Sequence, residues 1–168
     1  MLEMSKTSAV YNGRTRFFIM KSFTSENLQL SRENDVWATT FPVTKRIQMA
    51  FRSVENVICF FSLNESHAFQ GIARIESEPN SRLKPEIFAN DRNQMMKNNR
   101  GGYEYENSHN RVSKNMKVEW LLGCNFPFKE IEDFPGNPLN EHMPITKSYN
   151  GQELPYNLGN YLSHLMLK

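Results

Sequence analysis

A chain of 168 residues, 39% of them apolar and 23% charged, has the size of one ordinary domain and can bury a core without disulfides or metals to staple it. Its formal charge of +2 neither requires nor excludes a polyanionic partner, because what decides is whether Lys and Arg collect on one face. Cys59 and Cys124 both lie in apolar strand-like runs with no CxxC and no Cys/His cluster, which argues against a metal site or a disulfide framework and predicts reduced core thiols. No apolar run reaches transmembrane length and no signal peptide is visible, so a soluble cytosolic or nuclear protein without membrane contact is expected.

In chain order, residues 1–13 are polar and aperiodic, and a disordered or vector-derived segment is expected there, followed by one domain over residues 14–168. Phe17, Phe18, Ile19 and Met20 form an unbroken apolar run of strand length, as in a strand buried on both faces. Lys21 to Thr24 leave that strand, and Thr24 or Ser25 precedes Glu26 in the order of a helix N-cap with an acidic first turn; the helix should end near Asn34. The segment Val36–Thr40 reads as a second extended piece, and Trp37, between a helix end and a strand, is positioned to line a cleft instead of a core. Pro42 is expected to break that strand, with a helix from Lys45 to Ser53 whose Ile47, Ala50, Phe51 and Val54 make an apolar stripe. Lys45, Arg46 and Arg52 fall on its polar face. Asn56–Leu63 and Phe69–Glu76 form an expected antiparallel hairpin, with Gly71 suited to a bulge or a close backbone approach.

Residues 78–115 are rich in Asn, Lys, Arg and Gly and read as a long excursion with at most one short helix. Order returns at Met116, where Val118, Trp120 and Leu122 alternate as one strand face, which makes Trp120 a core residue. A closing helix is expected over residues 155–167 with Leu158, Tyr161, Leu162, Leu165 and Met166 inward. Strands and helices mixed without a repeating βαβ unit indicate an α/β or α+β domain.

Several blocks in fixed order carry a resemblance: KSFTSEN, then VWAT with Trp37 ten residues after Asn27, then AFRSVENVICFFS and FQGIARIES. Together they resemble the YTH domain, a reader of N6-methyladenosine in RNA, and the likeness runs from about Arg16 to the last helix. VWAT and SVENVI look closer to the nuclear members, and to the type fused to the zinc-finger subunit of the cleavage and polyadenylation specificity factor, than to the cytoplasmic group. The resemblance implies a single α/β domain with a strongly curved, barrel-like sheet surrounded by helices. It also implies single-stranded RNA containing N6-methyladenosine as partner, a link to the polyadenylation machinery, a nuclear location, no cofactor, no metal and no catalysis.

Methylated adenine is uncharged, so a cage for it works through methyl burial and π contacts. Burying one methyl contributes only about 0.8 kcal/mol, and stacking about 1–3 kcal/mol per base, so discrimination needs a tight dry pocket. Methylation leaves one N–H on the amine, which a carbonyl can accept while the methyl enters the cage. By the resemblance, Trp37 is the first cage wall and Asn27 bonds the Watson–Crick edge. Ser22, Phe23 and Ala38 match base-contacting positions; Phe23 stands where relatives often have Asn, and Ala38 where Ser or Cys is frequent, so main-chain contacts are implied there. Tyr103, seventeen residues before Trp120 and just after Gly101 and Gly102, matches the second wall, with Tyr105 as the alternative, and Val112 matches the third. Lys21 and Lys147 can reach phosphate, with Lys114 and Lys117 also near the pocket in sequence. Tyr149 replaces a phosphate-clamping Arg.

Two other classes bear weighing. An RNA-modifying enzyme would need a metal-ligand set, a deaminase H-x-E with P-C-x-x-C, or a nucleophile with a paired base, and His67, His109, His142 and His164 are scattered. A module with a weakened cage, binding unmethylated RNA or a protein partner, is favoured only by Val112 and Tyr149.

Overall fold

The structure, a computed structural model, describes residues 14–93, 95–97, 103–105 and 111–168. The expected N-terminal segment, residues 1–13, lies outside the described residues. The elements are β1 (Thr15–Ser22), α1 (Ser25–Asn34), β2 (Val36–Trp37), α2 (Phe41–Ser53), β3 (Asn56–Leu63), β4 (Ala68–Ile75), α3 (Ala89–Asn93), β5 (Met95–Lys97), β6 (Tyr103–Tyr105), β7 (Met116–Pro127), β8 (Glu153–Leu154) and α4 (Tyr156–Met166).

One six-stranded sheet, ordered β2-β7-β4-β3-β1-β8, organises the domain. The pair β1/β3 is parallel, with Phe18 opposite Cys59, because two helices and β2 intervene; β3 and β4 are the expected antiparallel hairpin. The unbroken apolar run of β1 follows from burial on both faces. Phe18 and Met20 join a core with Leu28, Val43, Ile47, Ala50, Val57 and Phe61 under α1 and α2. Phe17 and Ile19 join the opposite core with Ile58, Phe60, Phe69, Ile72, Leu158 and Leu162 under α4. Cys59 is free and fully buried, which pushes its thiol up to about 12, and half-buried Cys124 is free as well.

Bulges curl this sheet into a half barrel. Ile72 faces Leu122 while Ala73 faces Trp120, so Leu121 is an extra residue in β7, and a second register shift lies between Phe69 and Gly71. This corrects the reading of one shared face: Val118 and Trp120 point to the α1/α2 core, whereas the bulge turns Leu122 to the other one. Gly71 sits where a Cβ would meet the Leu122 carbonyl oxygen at 2.2 Å.

Thr24 caps α1, its Oγ1 accepting from the Asn27 amide at 3.2 Å, and the helix ends at Asp35 in a left-handed conformation. Pro42 does not break a strand: it occupies the first turn of α2, where a missing N–H costs no helical bond, and the helix starts at Phe41. In α4, Tyr161 departs from the expected inward set. It is 56% exposed and stacks on Phe134 at 4.8 Å.

The excursion holds more structure than its composition suggests, with α3 and the antiparallel pair β5/β6. Phe88 is buried in the α1/α2 core. Asn115 ties the turns together: its Nδ2 donates to the carbonyls of Leu83, Lys84 and Ile87 at 3.2, 2.9 and 3.1 Å, and its Oδ1 accepts from Arg92 at 2.8 Å. Side-chain-to-backbone bonds order this stretch, and they leave no periodic signal.

Candidate nucleic-acid interface

Where β1 ends, the chain turns into α1 and exposes one side of the α1/α2 core, leaving a cavity of about 390 Å³. Its walls are Lys21–Thr24, Asn27, Trp37–Thr40, Phe88, Asp91, Val112 and Asn150. Asn150 joins two of these walls, accepting from the Lys21 amide through Oδ1 at 2.9 Å and donating through Nδ2 to Thr39 Oγ1 at 3.0 Å. Ser22, buried, donates through Oγ to the Thr24 carbonyl at 2.8 Å, which braces the turn before the helix.

Trp37 is only 3% exposed and packs edge-to-face on Phe61 (5.0 Å) and Phe88 (5.6 Å). It therefore serves the cleft and the core together, where the sequence pointed to the cleft alone. Its indole N–H is buried without an acceptor among the described residues, an arrangement that costs about 1–3 kcal/mol. Val112 is held by a short bridge: it pairs with Thr40, Phe41 donates to the Arg111 carbonyl at 3.1 Å, and Ser113 donates to the Thr39 carbonyl at 2.8 Å. Asn27 Nδ2 donates to the Asp91 carboxylate at 3.4 Å, which orients the amide and leaves its Oδ1 available as an acceptor.

Seven residues singled out from sequence thus line one cavity: Lys21, Ser22, Phe23, Asn27, Trp37, Ala38 and Val112. The ring of Phe23 is 81% exposed and stands at the rim. Tyr149 adjoins the wall residue Asn150 and is also exposed. Lys147 is not brought to this cavity. It borders a separate hollow of about 900 Å³ with His67, Phe128, Phe134 and His142, at the 3-10 turns Phe128–Ile131 and Ile145–Lys147. The backbone of Tyr103 and Tyr105 belongs to β6; their side chains lie outside the described residues.

Sequence reasoning missed Thr39, Phe88, Asp91 and Asn150. Phe88 and Asp91 sit in the excursion, where only the single aromatic in a polar turn gave a hint, and Asn150 looked like an ordinary turn residue. Thr40 and Val112 of the bridge are followed and preceded by Phe41 and Arg111, which line an open groove together with Lys45 and Lys114, so three cations share that groove. Lys114 was singled out for this from sequence. Among the described residues no group of three or more His, Cys, Asp or Glu is placed to hold a metal ion. What the arrangement offers is a small, mostly apolar cavity with a few convergent polar groups and a cationic margin, suited to one planar base with phosphates outside.

Residues 15–167 match the family model described as the YT521-B-like domain, YTH. The chain is 33% identical over 154 residues to the 30-kDa cleavage and polyadenylation specificity factor 30 of Arabidopsis thaliana, a match covering 92% of this chain and 22% of that protein. It spans about a fifth of the length of the curated relatives it matches first. Among solved structures, the apo CPSF4-YTH domain of Toxoplasma is similar with a TM-score of 0.80 at 33% identity, covering 95% of this chain and 90% of that one. The same Toxoplasma domain in complex with a 7-mer m6A-modified RNA gives a TM-score of 0.76 at 33% identity, covering 92% and 91%.

Proposed function

This chain belongs to the YTH domain family, and from that premise we propose that it reads N6-methyladenosine in single-stranded RNA, binding the base without chemical change. The observation that carries this reading is the convergence of Trp37, Asn27 and Val112 on one cavity of about 390 Å³. The solved Toxoplasma relative bound to m6A-modified RNA supports it.

In this reading the methylated base leaves the strand and slides against the Trp37 ring, with Val112 and Tyr103 closing the cage. Tyr103→Ala then weakens methylated RNA far more than unmethylated RNA, and Tyr105→Ala does not. Asn27, oriented by Asp91, meets the Watson–Crick edge, its Oδ1 accepting from an N–H and its amide donating to a ring nitrogen. Phe23 and Ala38 contribute through the main chain. The Ser22 side chain is engaged within the turn, so its part is also a backbone one. Methylation replaces one amine hydrogen by a methyl that the cage buries, and no donor is stranded.

Lys21 on the cavity wall and the groove cations Lys45, Arg111 and Lys114 neutralise phosphates and fix the strand without reading sequence. Tyr149 occupies the place of a clamp and adds no charge. The resemblance to a polyadenylation factor supports a role in mRNA 3′-end processing with the cleavage and polyadenylation machinery as partner, and hence a nuclear location. The direct test is a titration of the chain with a methylated oligonucleotide and its unmethylated twin. Tighter binding of the methylated strand is expected; equal affinity would overturn the reading.

A further inference from the structure

Phe23 and Tyr149 are the two most exposed aromatic side chains among the described residues, at 81% and 72%. One hydrogen bond joins their two segments: Phe23 follows Lys21 by two residues and Tyr149 precedes Asn150, whose Oδ1 accepts from the Lys21 amide. Phe23 lines the cavity, and Tyr149 is the chain neighbour of its wall residue Asn150.

Their backbones are fixed although their rings are free. Phe23 lies between Ser22, bonded to the Thr24 carbonyl, and Thr24, which caps α1. Tyr149 lies between Ser148, whose hydroxyl donates to the Ile145 carbonyl at 2.7 Å, and Asn150, whose side chain makes two bonds. The Tyr149 carbonyl also accepts from the Gln152 amide at 3.0 Å. Tyr161, by contrast, covers one face by stacking on Phe134.

We infer that Phe23 and Tyr149 are stacking platforms for the nucleobases on either side of the base held in the cavity, an inference that rests on the RNA reading proposed above. A strand that flips one base inward exposes the π faces of its neighbours at the rim, and a rigidly mounted exposed ring meets them with little ordering cost. Phe23 has no polar atom and Tyr149 no charge, so neither can serve a phosphate as a cation would; a base face is the partner that suits both. Stacking tolerates every base, so the platforms sense that a neighbour is present without selecting its identity.

The test titrates the chain with a methylated oligonucleotide and with versions carrying an abasic residue immediately 5′ or 3′ of the methylated adenosine, sugar and phosphates retained. The unsubstituted protein is expected to lose roughly 5- to 140-fold in affinity at an abasic neighbour, the range for one stacked base. Phe23→Ala and Tyr149→Ala are each expected to lose a similar factor on the intact oligonucleotide and to become insensitive to one of the two abasic positions. Phe23→Tyr and Tyr149→Phe restore the response. Equal sensitivity of parent and alanine variants to both abasic positions, or no loss in the variants, overturns the inference while a preserved methyl preference leaves the RNA reading standing. Loss of methyl preference in the parent protein overturns both.

Discussion

The two faces of the sheet solve different problems with similar residues. Under α4, Phe17, Phe60, Phe69 and Phe128 run as a chain of ring contacts at 5.7, 6.1 and 4.9 Å, and Gly159 lets the helix backbone settle against the Phe17 ring. Under α1 and α2, Phe61 links both tryptophans, but the layer stops at Trp37, whose flank is a cavity and whose N–H is unpaired among the described residues. At this place the aromatic layer gives way to open space next to the polar groups a ligand would use. The lesson is that a binding cavity can be an unfinished stretch of core, which is why its main aromatic residue is also structural.

The sharpest break of this comparison is Trp37→Ala. It removes a ring packed on Phe61 and Phe88, so it should cost about 3–5 kcal/mol of stability, seen as a lowered denaturation midpoint, and also abolish methyl preference. A fully stable variant would show the ring to be a wall alone. Trp120→Ala comes next. Its ring packs at a tilt against Phe61 at 4.6 Å, donates to Ser31 Oγ at 3.1 Å and lies under the Arg32 guanidinium, yet it is not among the residues lining the cavity. About 2–3 kcal/mol should be lost, discounted for partial exposure, while the ratio of methylated to unmethylated affinity stays as it was. Gly159→Ala probes the other face. The new Cβ would lie 2.2 Å from Phe17, a ring with no room to move, so overpacking should cost about 1–3 kcal/mol in a chemical-denaturation curve with RNA recognition intact.

Much of this division was visible in the sequence. The apolar run of β1, the β3/β4 hairpin, the capped α1 and the place of Gly71 all come from local periodicity and turn chemistry, and the structure has them where those signals put them. What escaped depends on groups far apart in the chain. The Leu121 bulge reverses Leu122 through pairing with β4, which no β7 pattern announces. Pro42 suits a strand end and a helix start equally, and only the bridge from Thr40 to Val112 decides. Asn115 and Asn150 each hold distant segments together through a side-chain amide, and an Asn in a polar stretch looks the same whether it does so or faces water. The family resemblance supplied Trp37 and Asn27 as a pair. It did not supply Phe88 or Asp91, which complete their surroundings.

The smallest expected effect concerns charge, and it tests whether the cavity face alone meets the strand. Each phosphate neutralised on single-stranded RNA contributes about −0.7 to the slope of log affinity against log salt. Lys21 lines the base cavity, whereas Lys147 borders the hollow built from the 3-10 turns. Lys21→Gln should therefore make the slope shallower by about 0.7 and weaken methylated and unmethylated RNA by the same small factor, since phosphate contacts do not read the base. Lys147→Gln should leave both slope and affinity unchanged. If Lys147→Gln instead flattened the slope as much as Lys21→Gln, the RNA would have to continue past Tyr149 onto the second hollow. The footprint of the strand would then cover both sites, and the division of labour between the two faces would fail at that edge.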